Sequence, residues 1–229
     1  MKSSVLAAII FVGAAGGAWA ADISAARPVK APAPPPAQYN WTGVYVGGNV
    51  GYGWARYTAE VAGISGSFDL DGVTAGGLVG FNWQSGMFVG GIEADYQWSD
   101  QKKSVTDGVD TATLRISSFA TVRGRAGVAI DNVYIYGTGG YANFELKAES
   151  SGASGTFSGT ENRGGWTVGA GIDVAVFGNL IARAEYLYLQ SFDKDTLVRG
   201  FTVTDHVTDS VVRAALMYKF GGEPVRAAY

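Results

Sequence analysis

The stretch that decides the fold is FVGGIEADYQW, residues 88–98. Its side chains alternate with a period of two. One face carries Phe88, Ile92, Ala94, Tyr96 and Trp98, and the other carries Glu93, Asp95 and Gln97. Successive side chains of a β-strand point to opposite faces of the sheet. The stretch therefore predicts a strand with one apolar face and one face that holds ionised groups.

The same alternation recurs in seven further segments, at about 42–56, 72–84, 112–128, 133–147, 164–177, 180–190 and 209–220. Tight turns join three pairs of segments, at Gln84-Ser85-Gly86, Ile130-Asp131-Asn132 and Gly178-Asn179. Long polar stretches join the others, at about 57–71, 99–111, 148–163 and 191–208. Alternating short and long connections are typical of outer-membrane barrels. The sequence predicts an all-β fold, an eight-stranded antiparallel up-and-down transmembrane β-barrel with four long extracellular loops and three short periplasmic turns.

The composition excludes several classes of function. The 229 residues include no cysteine and one histidine, which argues against disulfide scaffolds, cysteine zinc sites and multi-histidine metal sites. The net charge of −3 offers no electrostatic attraction to a nucleic-acid backbone. We therefore expect no cofactor, no metal and no nucleic-acid partner.

The beginning of the chain has the pattern of an export signal. Lys2 precedes an apolar run, and Ala18-Trp19-Ala20 provides the small residues that signal cleavage requires, which predicts a cleaved signal peptide over 1–20. Residues 21–40 contain five of the six prolines, which predicts an extended Pro/Ala-rich periplasmic spacer. The barrel would then occupy 41–220, followed by a C-terminal extension over 221–229.

Period-two alternation alone does not decide which face meets solvent, because a soluble lipocalin-like barrel has its apolar face inside. Here the polar face is crowded with glycine and charge, as in a narrow lumen. The apolar face has large aromatic residues near the strand ends: Trp54, Trp98, Trp166, Tyr186 and Tyr188 toward the loops, and Trp83, Tyr134, Tyr136, Tyr218 and Phe220 toward the turns. Two aromatic girdles around an aliphatic band favour a lipid-facing exterior.

The predicted lumen carries balanced charge. Its acidic members are Glu93, Asp95, Asp173 and Glu185, and its basic members are Arg123, Arg125, Arg183 and Arg213. Eight strands enclose an interior that side chains just fill, so we expect these groups to pair across the lumen and to plug it. The alternatives are a narrow porin-like pore for small solutes and a catalytic pair of charged groups.

A single segment could support catalysis. Asp205-His206 and the nearby Ser210 contain the three side-chain types of a hydrolase, which leaves a lipid-modifying enzyme as an alternative. His206 lies in a predicted loop, where a solvated histidine is the common case, and proximity in a loop is not a triad. We therefore expect no enzyme activity and assign no catalytic residue.

Several motifs together resemble the RopB-like small outer-membrane proteins of alphaproteobacteria. They include GVYVGGNVGYGW (43–54), GFNWQSG (80–86), TVRGRAG (121–127), YGTGG (136–140), GWTVGAGID (165–173), AEYLYL (184–189) and VRAALMYKF (212–220). The resemblance implies an OmpA-like eight-stranded barrel in the outer membrane of a Gram-negative cell, often described as a porin-family protein or surface antigen. It also implies insertion by the outer-membrane assembly machinery, which would read an aromatic residue at the end of the last strand, either Phe220 or Tyr229. The partners implied are outer-membrane lipid, lipopolysaccharide and surface or host ligands of the loops.

Overall fold

The computed structural model describes residues 39–61, 64–107, 110–152, 155–198 and 201–221, and in these ranges the chain is built from β-strands. There are nine strands in the described ranges: β1 Gly43–Val61, β2 Ile64–Ser85, β3 Phe88–Asp107, β4 Asp110–Ile130, β5 Val133–Gly152, β6 Gly155–Phe177, β7 Leu180–Ser191, β8 Lys194–Val198 and β9 Phe201–Phe220. Within those ranges, no helix has the length and apolar character needed to cross a membrane.

The strands close into a ring. Each strand from β1 to β6 pairs antiparallel with the next, β7 pairs with β9, and β9 pairs with β1. The short strand β8 pairs with β9 directly beyond β7. Strands β7 and β8 therefore occupy a single strand position in the barrel, interrupted at Phe192 and Asp193, and the ring has eight strand positions. The predicted eight-stranded antiparallel barrel is therefore confirmed.

The offset in strand register that accumulates around the barrel determines how far the strands tilt from the barrel axis. When paired residues are followed once around the barrel from Tyr45, the path returns to β1 at Ala55, ten residues further along. Ten residues of stagger over eight strands correspond to a strand tilt of roughly 40°. At this tilt a strand residue rises about 2.5 Å along the barrel axis.

The predicted long loops are largely strand in the structure. Strand β1 stays paired with β2 up to Val61 and Ile64, and the other three connections predicted to be extracellular are extended hairpins in the same way. Strands of 20 or so residues are about 50 Å tall, twice the ~25 Å apolar band of an outer-membrane barrel. The barrel wall is therefore about twice as tall as such a band, and the excess lies at the end that is predicted to be extracellular.

The short turns are close to their predicted positions. They lie at Gly86-Met87, Asp131-Asn132 and Gly178-Asn179. The first residue of each turn has a positive φ, between 52° and 61°, which glycine adopts at no steric cost and aspartate tolerates.

The outer surface is apolar in the middle of the wall, as predicted. Ile92, Trp98 and Val122 are each more than 60% exposed, whereas the charged residues next to them in the same strands are buried inside: Glu93, Asp95, Arg123 and Arg125. A lipocalin-like interior is thus contradicted.

For two residues of the predicted aromatic girdle near the short turns, the predicted outward orientation was wrong. Tyr134 and Tyr136 point into the barrel, and Ile135 faces outward at 52% exposure. The inward tyrosines satisfy their hydroxyls there, because Tyr134 Oη donates to the Val89 carbonyl at 3.2 Å and Tyr136 Oη donates to Glu185 at 2.9 Å. Their aromatic character suggested the girdle, but the parity of the strand places them in the lumen.

Candidate functional site: the charged layer of the lumen

The structure brings all eight predicted lumen charges together in one layer. They stand at alternate positions of β3, β4, β6, β7 and β9, so that all point inward. Strand register places three opposite-charge pairs directly beside each other across neighbouring strands: Glu93 with Arg123, Asp173 with Arg183, and Glu185 with Arg213. The side chains of all eight are at most 1% exposed.

Glu93 is the centre of this layer. Its carboxylate lies within ion-pair distance of all four arginines: Arg183 Nη1 at 2.6 Å, Arg125 Nη1 at 3.0 Å, and Arg123 and Arg213 through Nη2. The hydroxyl of Tyr45 donates a further hydrogen bond to Glu93 Oε2 at 2.7 Å. Glu93 is therefore the one carboxylate of the layer that contacts every cation in it.

The other three carboxylates are shared in the same manner. Asp173 accepts from Arg183 Nε and from Arg125 Nη2, both at 2.7 Å. Glu185 accepts from Arg213 Nε at 2.7 Å and from Arg123 Nη1 at 3.1 Å.

Asp95 accepts from the Thr121 hydroxyl at 2.6 Å, from Arg123 at 3.0 Å and from Arg213 at 3.2 Å. Every carboxylate oxygen of the layer thus accepts at least one hydrogen bond, which a buried charge requires.

Inward glycines make room for the tyrosines that serve this layer. A Cβ at Gly171 would lie 2.4 Å from the Tyr136 hydroxyl, and one at Gly80 would lie 2.3 Å from the Tyr45 hydroxyl. The ring of Tyr136 also lies 3.9 Å from the guanidinium of Arg125, a cation–π contact. The glycine-rich inner face is therefore what lets large polar side chains fill the lumen.

Apolar side chains close the lumen on the periplasmic side of the charged layer, a feature that the sequence did not predict. Tyr39 and Trp41, which precede β1, are buried there with Tyr134 and Met217, and the ring centroids of Trp41 and Tyr134 are 5.4 Å apart. The Nζ of Lys219 donates to the Asn40 carbonyl at 2.5 Å and holds this segment in place. At the end of the predicted spacer, the Tyr39 side chain and the Asn40 carbonyl therefore contact the barrel.

Apolar side chains also close the extracellular side. Phe119, Ala142, Phe144, Leu187, Leu189 and Val211 form one buried cluster, and Ala55, Leu70, Ile116, Leu146 and Val207 form another. The described lumen thus has a charged layer between apolar layers.

A second group of ionised side chains lies among the extracellular hairpins, with Arg163 and Asp205 nearly buried and Glu161 and Lys194 exposed. Asp205 accepts hydrogen bonds from Arg163 and from the hydroxyl of Tyr57, the latter at 2.9 Å, and Glu161 joins Arg163 to Lys194. Burial raises the pKa of Tyr57 to about 12, and the hydrogen bond to Asp205 adds to the shift. These contacts hold β1, β6, β8 and β9 together among the long hairpins.

The three side chains of the hydrolase alternative are not assembled. Asp205 points into the lumen, whereas His206 points outward, with its Nδ1 3.6 Å from Asp193. Ser210 is four residues further along β9 and accepts a hydrogen bond from Tyr186 at 3.1 Å. Four residues of strand separate His206 from Ser210 by about 13 Å, too far for proton transfer between them.

The remaining predicted positions lie at the ends of the chain. Phe220 is the last residue of β9, faces outward at 52% exposure, and lies opposite Val44 of β1. Ala18, Ala20 and Tyr229 lie outside the described residues, so the signal cleavage and the choice between Phe220 and Tyr229 stay predictions.

Comparison with known proteins gives consistent matches over most of the chain. The family model of the outer membrane protein beta-barrel domain matches residues 28–220. The 31 kDa outer-membrane immunogenic protein of Brucella melitensis is 33% identical over 255 residues, covering 96% of this chain and 100% of that protein. The 22 kDa outer membrane protein of Rhizobium leguminosarum is 33% identical over 186 residues, covering 79% of each. Among solved structures, the outer membrane protease OmpT from Escherichia coli matches with a TM-score of 0.53 at 9% identity, covering 80% of this chain and 99% of that one, a likeness of fold alone.

Proposed function

Because the chain belongs to the outer membrane protein beta-barrel domain family, we propose that it is a structural barrel with a closed lumen, which contributes to envelope integrity and to cell-surface contacts. Its relatives are outer-membrane proteins, which confirms the predicted location and the predicted resemblance. The proposal concerns what the barrel does in that membrane, and it assigns no catalytic role.

The observation that carries the proposal is the charged layer itself. An ion that crossed the lumen would have to separate arginine and carboxylate groups that are at most 1% exposed and that neutralise each other, four against four. Breaking a buried ion pair costs about 3–5 kcal/mol because it leaves an uncompensated charge. Thermal fluctuation therefore opens this layer rarely.

One feature supports the second candidate, a narrow pore. On the inner wall formed by β1, β2 and β3, several buried polar atoms have no hydrogen-bond partner among the described residues: both amide atoms of Asn49, the Thr74 hydroxyl and Gln97 Oε1. Unpaired buried polar groups are usually satisfied by water. A hydrated strip along this wall would be the start of a conducting path past the charged layer.

Planar-bilayer recording separates the two candidates. For the closed barrel we expect no stable channel from the purified full chain, and we expect channels from a variant that removes Arg123 and Arg183 together with Glu93 and Asp173 by substitution with Ser. A matched variant with four serines at exposed charges of the extracellular hairpins serves as the control. Stable channels of the wild-type protein, at a conductance that the four interior substitutions leave unchanged, would contradict the closed barrel.

The cellular part of the proposal has its own test. Deletion of the coding sequence is expected to sensitise cells to detergents and to large antibiotics, and re-expression of the wild-type chain is expected to restore resistance. The surface contacts would involve the extracellular hairpins, because these stand clear of the membrane. The Brucella melitensis relative is named an immunogenic protein, which supports exposure of the hairpins to antibodies in this chain also. Failure of antibodies against the hairpins to bind intact cells would count against this part.

A further inference from the structure

Three basic side chains stand side by side on the outer surface of the barrel. Lys102 of β3 is paired in register with Arg115 of β4, and Arg115 is paired with Lys147 of β5. Neighbouring strands are about 4.8 Å apart, and like charges directly opposite each other destabilise a sheet. We call these three residues the basic row. Their mutual repulsion is relieved when an anion lies among them.

The carboxylates beside the basic row compensate it only in part. Asp100 is shared between Lys102 Nζ at 3.3 Å and Arg115 Nη2 at 3.5 Å, and Glu145 lies 3.3 Å from Lys147 Nζ. The three basic side chains remain 42–48% exposed, and ion pairs of this length and exposure are weak. The basic row therefore keeps N–H donors available to a ligand.

Arg56, another outward-facing arginine of the barrel, is more completely ion-paired than the basic row. Arg56 donates through Nε to Asp69 at 2.7 Å and through Nη2 to the second oxygen at 3.4 Å, so its charge is matched by one carboxylate. Asp71, the residue that pairs in register with Lys102, instead accepts a hydrogen bond from Tyr52. Arg56 and Asp69 are thus matched one to one, whereas two carboxylates, Asp100 and Glu145, lie within ion-pair distance of the three cations of the basic row.

The position of the basic row relative to the membrane indicates the ligand. Lys102 follows the outward-facing girdle residue Trp98 by four positions, which places it about 10 Å above the edge of the apolar band. The headgroup layer on each side of a bilayer is about 5–8 Å thick, and lysine and arginine side chains reach down into it along their aliphatic stems. On the far side of the barrel the outward residues beyond the girdle include Asn162, Gln190 and Thr208, which carry no charge. One side of the barrel therefore offers cations to the headgroup layer.

We propose that the basic row binds the anionic headgroup of a lipopolysaccharide molecule in the outer leaflet. Arginine and lysine pair with phosphate and carboxylate groups through charge-assisted hydrogen bonds, and several cations at one membrane depth bind an anionic headgroup additively. The acyl chains of the same molecule would lie against the apolar wall below Trp98. The proposal rests on the outer-membrane location of the chain and is independent of whether its lumen conducts.

The test measures binding of a defined bisphosphorylated lipid A to the purified full chain in detergent, by native mass spectrometry. The test variant is Lys102→Gln/Arg115→Gln/Lys147→Gln. The matched variant, Arg56→Gln/Lys103→Gln/Lys194→Gln, also removes three positive charges from the extracellular part. A cation near an anionic surface is worth about a fivefold change in affinity, so the test variant is expected to lose 10-fold or more, and the matched variant less than threefold.

Two further measurements distinguish binding of the phosphorylated headgroup from binding of the acyl chains and from binding of free phosphate. Dephosphorylated lipid A is expected to bind the wild-type chain at least 10-fold more weakly, and inorganic phosphate at millimolar concentration is expected not to displace lipid A. The single variant Asp100→Asn, which removes a competing carboxylate, is expected to bind lipid A more tightly than wild type.

All variants are first checked for the heat-modifiable gel migration of a folded barrel, and Asp100→Asn provides a test even where the triple variant does not fold. Equal loss in both triple variants, undiminished binding by the test variant, or displacement by free phosphate would each overturn the proposal. Weaker or unchanged binding by Asp100→Asn would also overturn it.

Discussion

Substitution of Glu93 by glutamine tests the charged layer most directly. The carboxylate of Glu93 is buried and contacts all four arginines of the layer. Glutamine has nearly the same shape but carries no charge, and its NH₂ group must take the place of one oxygen. At the Oε2 position that group would face the N–H donors of Arg125 and Arg183, and at the Oε1 position it would face Arg123. In either orientation the glutamine NH₂ group faces an arginine N–H group, so that two hydrogen-bond donors oppose each other. The layer also keeps one positive charge in excess.

The expected cost is about 3–5 kcal/mol in the free energy of unfolding, the range for removal of one partner from a buried ion pair. The assay is urea unfolding of the barrel refolded into phospholipid vesicles, followed by tryptophan fluorescence and by heat-modifiable migration. Glu149→Gln, which neutralises an exposed carboxylate on an extracellular hairpin, is the matched control and is expected to stay within ~0.5 kcal/mol of wild type.

A double-mutant cycle then shows whether the cost arises from charge imbalance. Glu93→Gln combined with Arg183→Gln restores neutrality, so the double variant is expected to be more stable than the sum of the two single effects by ~1–3 kcal/mol. If Glu93→Gln is no more destabilising than Glu149→Gln, the argument that the layer depends on mutual neutralisation is refuted.

Three further predictions concern the wall, the packing and the extracellular hairpins. Ile92→Arg, at a lipid-facing position 66% exposed, is expected to cost ~2–4 kcal/mol in the same unfolding assay, and a small effect there would contradict its place in the apolar band. Gly171→Ala is expected to cost ~1–3 kcal/mol because its Cβ would meet the Tyr136 hydroxyl, whereas Gly66→Ala, with no atom within 4 Å, is expected to be neutral. Because the folded-state pKa of Tyr57 is about 12, the unfolded chain ionises first, and stability is expected to fall as the pH rises from about 10 to 12. Tyr57→Phe should lessen that fall, and identical pH profiles of the two proteins would exclude the shift.

The sequence was sufficient to find the charged layer because the alternation of its strands is strict. Once Ile92 and Tyr96 are assigned to the outside, parity alone turns Glu93 and Asp95 inward. The same rule would have placed Tyr136 correctly, but tyrosine occurs both in membrane girdles and in polar interiors. Residue type is thus a weaker guide than parity when an amphipathic side chain suits both environments.

Other features could not be predicted because no local pattern encodes them. The extracellular hairpins are polar on both faces over much of their length, so the alternation that marks a strand disappears although the backbone remains paired. In β4 a register irregularity between Ile116 and Ser118 changes the parity, so that the even-numbered Ile116 is inside although the odd-numbered Phe119 and Arg123 are inside as well. The burial of Tyr39 and Trp41 depends on contacts with residues far along the chain, such as Tyr134 and Lys219.

The charged layer also bears on how the barrel selects its strand register. Its members come from five strands, and the Tyr45 hydroxyl that completes Glu93 comes from β1, so the set is complete only when the strands are aligned around the ring. A slip of β4 by one residue would turn both Arg123 and Arg125 toward lipid, at a cost of ~2–4 kcal/mol each near the middle of the bilayer. The same slip would leave Glu93 without two of its cations. A layer of balanced ions thus contributes little net stability compared with an apolar core of equal volume, yet it makes misaligned barrels much less stable than the aligned one.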